Sequence, residues 1–326
     1  MQGTLLSIDN LQTYCFTRAG VVKAVNGVSF SLSPGESLGI VGESGCGKSM
    51  TCASILRLVP QAARIVGGKI FFEGEDLLKK TESEMRNIRG KQISMILQDP
   101  LMSLNPVYKI KNQVSEACRR QGTRVSRAVL RQRVIDALSS VNIPSAEHRL
   151  NDYPFQFSGG MRQRTVAAMA IASKPKLLIA DEPTTSLDVT IQDQFLRLLN
   201  EMQEQLQMGL ILVTHDLGIV AETCNRIVIM YAGRIVESGD VLRVYEKPAH
   251  PYTEALMQAL PKLERRDKRL FQIQGEPPHF LELPSGCSFW PRCHEAIGIC
   301  QEKYPPMVSL EDGWQASCWG LEKRGV

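Results

Sequence analysis

The chain alternates short apolar runs with polar turns and longer helix-compatible stretches. Leu5–Ile8, Val28–Leu32, Leu38–Val41 and Lys69–Phe72 are β-like runs bounded by turn residues. From about Lys111 to Ser140 the apolar positions take helical spacing among good helix formers, which predicts helix. Leu177–Ala180 and Leu210–Thr214 are continuous apolar runs, the pattern of parallel strands buried on both faces, although periodicity alone does not separate such runs from helix. Strands alternating with helical stretches predict an α/β fold, whose ligands bind at the carboxyl ends of the strands. No internal repeat is visible, so a site built from these segments occurs once.

Composition narrows the picture. A length of 326 residues suits two domains, or one large domain with an appendage. With 43% hydrophobic and 22% charged residues, wholesale disorder is excluded. A net charge of +4 is too small to announce a nucleic-acid binder. No apolar run approaches the roughly 18 residues of a membrane span, and no basic-then-apolar leader opens the chain. The expectation is a cytosolic chain with a peripheral membrane role at most. Nine cysteines in such a chain argue against disulfides. Four of them, Cys287, Cys293, Cys300 and Cys318, fall close together, and nine of the 17 prolines lie at or after Pro248. That shift puts a domain boundary near residue 240, giving domains at 1–240 and 241–326.

Gly42-Glu43-Ser44-Gly45-Cys46-Gly47-Lys48-Ser49 fits G-x-x-x-x-G-K-[ST]. It follows the strand-like Leu38–Val41 and precedes the helix-compatible Met50–Leu58, the context a phosphate-binding loop requires. The glycines let main-chain N–H groups curl around phosphate oxygens, and a helix N-terminus adds its partial positive charge. Lys48 would neutralise β- and γ-phosphates, and Ser49 would ligate Mg²⁺. Leu177-Leu178-Ile179-Ala180-Asp181-Glu182 delivers two adjacent carboxylates at the end of an apolar strand. Asp181 suits the Mg²⁺ hydration shell, and Glu182 suits a general base directed at the attacking water.

Just upstream of that strand, Phe157-Ser158-Gly159-Gly160-Met161-Arg162-Gln163-Arg164 resembles the signature motif of ABC-transporter ATPases. Gln98 resembles their Q-loop glutamine, Ser186-Leu187-Asp188 their D-loop, and His215 their switch histidine. Six motifs stand in the family's order. The resemblance implies an α/β fold, a P-loop NTPase ABC cassette with a mixed sheet core and a helical subdomain over about 98–165. It also implies catalytic roles for Glu182, His215 and Gln98. Ser158, Gly159 and Gly160 would present N–H groups to the γ-phosphate of ATP held by a partner subunit, in a head-to-tail dimer that sandwiches two ATP molecules. Two positions depart from the pattern. Met161 replaces the signature's usual glutamine, and Cys15 stands where an adenine-stacking ring is expected, leaving Tyr14, or alternatively Phe16, for that role.

Within the family, the chain is most similar to ATPase subunits of bacterial dipeptide, oligopeptide and nickel importers, nearest the dipeptide-type D subunit. The matching segments are Gln98–Pro106, Tyr231–Glu237, His250–Leu256 and Pro284–Cys293. The resemblance implies a motor for di- or oligopeptide uptake, with nickel chelates or another small solute as alternatives. Its implied partners are a second ATPase in a heterodimer, two transmembrane permease subunits and an extracytoplasmic solute-binding protein, with no nucleic acid. Its implied location is the cytoplasmic face of the inner membrane. The less favoured class is a non-transport ABC ATPase, which typically carries two cassettes or a long coiled coil. The terminal thiols read C-x5-C-x6-C-x17-C, unlike a zinc ribbon, but suggest a metal staple for a segment too small for its own core. Relatives imply a [4Fe–4S] cluster there, with structural zinc or free thiols as alternatives and His294 as a substitute ligand only if a cysteine fails. The extension is therefore expected to be loop-rich and metal-stapled. Six arginines from Arg119 to Arg133, with no acid among them, read as a solvated helix face or a contact with membrane subunits or lipid.

Overall fold

The computed structural model describes residues 3–120, 125–185, 187–260, 271–311 and 313–325. They divide into two compact units that interleave along the sequence. One contains Lys79–Val213 with Leu32–Glu36 and the residues up to Leu5; the other contains Leu6–Ser31, Ser37–Leu78 and Thr214–Val326.

In the first unit, Leu177–Asp181 lies between and parallel to Ile93–Ile96 and the strand beginning at Gly209. Leu177–Asp181 is buried at every residue, which is why its sequence is a run rather than an alternation. Gly209 is required by packing: a Cβ there would stand 2.7 Å from the Leu5 side chain and 2.9 Å from that of Leu32. The predicted helix over 111–140 is two helices, Ile110–Arg119 and Arg127–Ser140. Ser126 starts the second by accepting the Val129 N–H on its hydroxyl, the role for which serine is favoured at an N-cap. Gly159–Ile171 packs against both, and Val189–Leu206 ends at Gln207 in a left-handed conformation.

The second unit contains an antiparallel sheet with Leu6–Thr17 between Gly20–Leu32 and Ala63–Phe72. Its register runs from Leu6↔Phe72 to Cys15↔Ala63, with irregularities between Asp9 and Thr13. A parallel pair, Ser37–Val41 with Arg226–Tyr231, continues antiparallel into Arg234–Asp240. Ala232 and Gly233 join the last two strands with φ of 46° and 81°, the left-handed pair that a tight two-residue hairpin needs. Arg234–Asp240 then pairs with Gln315–Ala316, so the C-terminal region adds strands to this sheet. Beyond Gln258 the described residues form only single turns and two-residue strands, so the extension is loop-rich as expected. Among the described residues no helix is long and apolar enough to cross a membrane.

Candidate functional site

The segment 42–49 connects the buried strand Ser37–Val41 to the helix Lys48–Ile55. Two of its glycines are dictated by contact. A Cβ on Gly42 would stand 2.2 Å from the Met230 carbonyl oxygen, and one on Gly47 would stand 2.2 Å from that of Ala24. Gly47 also takes φ of 106°, which L side chains rarely adopt. Gly45 is exposed with φ of 79°, and Ser44 and Ser49 are exposed beside it. Lys48 is buried, and its ammonium donates to the carbonyls of Gly42 at 2.7 Å and Glu43 at 3.1 Å. The Cys46 carbonyl accepts from the Gly233 N–H at 2.9 Å, and burial raises the Cys46 thiol above its ordinary pKa, keeping it protonated. The loop thus has main-chain donors and one ammonium gathered at a helix start, the chemistry of an anion cradle.

The first unit gathers a second set. Asp181 closes its strand, buried, and Glu182 follows with φ of 44°. The Glu182 carboxylate accepts from Gln98 Nε2 at 3.2 Å and from the Thr185 hydroxyl at 3.2 Å. The structure thus joins Gln98 and Glu182, which are 84 residues apart in sequence. Ser158 is the N-cap of Gly159–Ile171, its hydroxyl accepting the Met161 N–H. Gly160 lies so close to the next helix that a Cβ would meet Ile191 Cγ2 at 2.6 Å. Asp188 is the N-cap of Val189–Leu206 and accepts from the Ile191 N–H at 3.0 Å. Ser186 lies outside the described residues.

In the second unit His215 is exposed, directly after the strand Gly209–Thr214. Tyr14 is half-buried: its hydroxyl lies 3.2 Å from both Gln12 Oε1 and Asn26 Oδ1, and Lys23 stands over its ring. Phe16, on the same face of the strand, is 47% exposed with Arg64 across its ring. Arg131 pairs with Glu147 and Arg120 donates to the Arg89 carbonyl, so part of the arginine-rich stretch is bound within its own unit. Residues 121–124 of that stretch are outside the described set.

Cys287, Cys293, Cys300 and Cys318 line one small pocket with Phe289, Trp290 and Trp319, and none is in a disulfide. Burial, with the neighbouring thiols adding, pushes Cys287 and Cys293 each up to about 11. Among the described residues no group of three or more His, Cys, Asp or Glu is placed to hold a metal ion.

Sequence reasoning passed over Glu43, a variable position of the loop motif. Its carboxylate is clasped by Arg292 and its N–H by the Tyr252 hydroxyl. Nothing in their spacing signals residues 249 positions apart as neighbours.

The ABC transporter family profile matches residues 25–185, and the profile for the oligopeptide/dipeptide transporter C-terminal region matches residues 236–300. A probable peptide ABC transporter ATP-binding protein of Sinorhizobium fredii is 50% identical over 97% of this chain and 94% of its own. The chain belongs to the family of peptide ABC transporter ATP-binding proteins. The dipeptide transport ATP-binding protein DppD of Escherichia coli is 45% identical, with 96% of each chain covered. Among solved structures, a dimeric ATP-binding cassette in a post-hydrolysis state with ADP and phosphate has a TM-score of 0.65 over 72% of this chain and 98% of its own. At 23% identity that match speaks to the fold alone, which is the P-loop ABC cassette.

Proposed function

We propose that this chain is the ATP-hydrolysing motor subunit of a bacterial importer that drives di- and oligopeptide uptake across the cytoplasmic membrane. The observation that carries the reading is the phosphate loop 42–49, shaped by contacts at Gly42 and Gly47, in a chain that also presents Glu182 held by Gln98. We read 1–240 as the ATPase domain, with a helical subdomain over about 98–165, and 241–326 as the importer extension.

Gly42, Ser44, Gly45, Cys46, Gly47 and Lys48 would hold the phosphates of ATP. Ser49, Gln98 and Asp181 would hold Mg²⁺, which offsets the phosphate charge. Glu182 would orient and deprotonate the attacking water, and His215 would hydrogen-bond the γ-phosphate. Ser158, Gly159, Gly160 and Asp188 would serve the ATP bound by a second ATPase subunit across a head-to-tail interface. Phe16 offers the more exposed ring for adenine, and Tyr14 the more restrained one. Two permease subunits and an extracytoplasmic binding protein complete the assembly, with this chain peripheral on the cytoplasmic face. A groove of about 880 Å³, lined by Leu97, Met102 and Tyr108 among others, supports a permease contact. Those three side chains are 50%, 84% and 55% exposed, which is unusual for large apolar groups clustered together.

The four cysteines of the extension would hold a [4Fe–4S] cluster, as the family resemblance implies, with structural zinc as the lesser alternative. Each iron of a four-iron cluster takes one thiolate, and the pocket lined by Cys287, Cys293, Cys300 and Cys318 would supply four. Binding would release the protons that burial holds on Cys287 and Cys293.

The test of the transport reading is reconstitution with both permeases, the second ATPase and the binding protein in vesicles. Labelled dipeptide should accumulate only with ATP, and Lys48→Ala should stop both hydrolysis and uptake. Uptake that persists without ATP, or hydrolysis indifferent to Lys48→Ala, would sink it.

A further inference from the structure

Glu43 is held from three directions. Its N–H donates to the Tyr252 hydroxyl at 3.0 Å, and its carbonyl accepts from Lys48 Nζ at 3.1 Å. Its carboxylate accepts two parallel bonds from Arg292, at 2.7 and 3.0 Å. The Arg292 side chain is only 4% exposed, against 25% for Glu43. It also bonds the Tyr231 hydroxyl at 3.2 Å and the Gln274 carbonyl at 3.1 Å. Burial works against the guanidinium charge, but the bonds to Glu43 and Tyr231 outweigh it and raise the pKa. Tyr231, Tyr252 and Phe289 pack ring to ring around this point, with centroids 4.6 to 5.3 Å apart. Arg292 immediately precedes Cys293, and Tyr252 lies in the helix Pro251–Gln258.

We propose that Arg292 and Tyr252 are positioning residues of the ATP site, through which the C-terminal region sets the shape of the phosphate loop. The inference rests on reading residues 42–49 as that loop. An anion cradle works only if successive N–H groups point at one spot, and the Tyr252 hydroxyl fixes the peptide plane entering Glu43. The Arg292 fork fixes the side chain of the same residue, and Lys48 shares its carbonyl. Arg292 also neutralises a carboxylate that would otherwise stand unbalanced in a loop built for polyphosphate. A bidentate pair with its guanidinium buried is stiffer than a surface ion pair, and it is charge-assisted. Disturbing the cysteine-bearing region would therefore be felt as a loss of nucleotide affinity.

The experiment uses the full-length chain, purified without oxygen, and reads the dissociation constant of a fluorescent ATP analogue, with thermal melting as a check of folding. Arg292→Ala is expected to weaken binding about tenfold, as loss of a charge-assisted pair would. Arg292→Lys, which keeps the charge but not the fork, should fall between it and the wild type. Tyr252→Phe, which keeps the ring, should weaken binding less than Arg292→Ala. The double variant Glu43→Gln/Arg292→Gln leaves neither charge alone and should recover most of the affinity, a recovery that a purely structural role would not give. Should Arg292→Ala fail to fold, Arg292→Lys and the double variant carry the same comparison. Wild-type affinity in the folded single variants, or a double variant weaker than either, overturns the proposal. Lys48→Ala separates the two readings: if it binds nucleotide normally, the loop assignment itself fails, whereas weakening by Lys48→Ala alone refutes only the positioning role.

Discussion

Glu182 adopts φ of 44°, a left-handed backbone that residues with a side chain take rarely and at a cost. Its N–H is fixed to the Val213 carbonyl at 2.9 Å, and its carboxylate is shared by Gln98 and Thr185. A carboxylate so aimed suits a base that must meet one water. Glu182→Gln keeps the shape and loses the base, so we predict a fall in turnover of about 10²–10⁴-fold with ATP affinity retained. Turnover in the assembled transporter together with nucleotide binding measures both, and near-normal hydrolysis would refute the role. Asp181 and Glu182 were legible in the sequence because an apolar strand ending in two acids is a local pattern. The turn that aims Glu182, and its bond from Gln98, were not, since both depend on residues distant in the chain.

At the scale of elements, the strands Ser37–Val41 and Leu177–Asp181 lie where their apolar runs predicted, because full burial leaves no room for alternation. The predicted helix over 111–140 divides instead, because Ser126 caps a new helix and helical periodicity does not register such a restart. The helix Pro251–Gln258 is capped by His250, whose Nδ1 accepts the Tyr252 N–H at 3.0 Å. Burial, and then the charge of Arg324, lowers His250 from 6.5 to about 3, so it is neutral in the fold. Glu237, which accepts the His250 N–H, is raised above 4.5 by burial against the N–H bonds that lower it. The two act in opposite senses. The unfolded chain protonates His250 below about 6.5, so its contribution to stability is complete above that pH and is lost as pH falls toward 3. Glu237 holds its proton longer in the fold, so its contribution shrinks as pH rises past 4.5. Comparison with His250→Asn, which retains a cap acceptor, isolates the histidine. On acidification below about 6.5 the wild type should lose stability relative to the variant by up to about 1.4 kcal/mol per pH unit. Parallel stability curves for the two proteins from pH 7 to 4 would contradict this.

At the scale of the whole molecule, the extension's described residues hold little regular structure, yet Phe289 and Trp314 are buried and Trp314 Nε1 donates to Glu237 at 2.9 Å. Part of its order thus comes from packing on the sheet and from the Arg324 bonds to Glu254 and Glu295. Protein prepared without oxygen should carry about four irons and four sulfides per chain, lost when two of Cys287, Cys293, Cys300 and Cys318 become serine. Zinc without sulfide, or neither metal, would remove the cluster and leave the ATPase assignment standing. The sequence by itself determined the family, the glycine-rich turn at 42–49 between strand and helix, the paired acids closing a strand and the change of character near residue 240, because each is a local pattern of residue types. Tertiary structure alone decided that the region after 240 joins the unit containing Leu6–Ser31 and Ser37–Leu78, and that Arg292 and Tyr252 meet Glu43. Such contacts are made by chain reversals and strand pairing over hundreds of residues, and no spacing along the sequence records which side chains those reversals bring within reach.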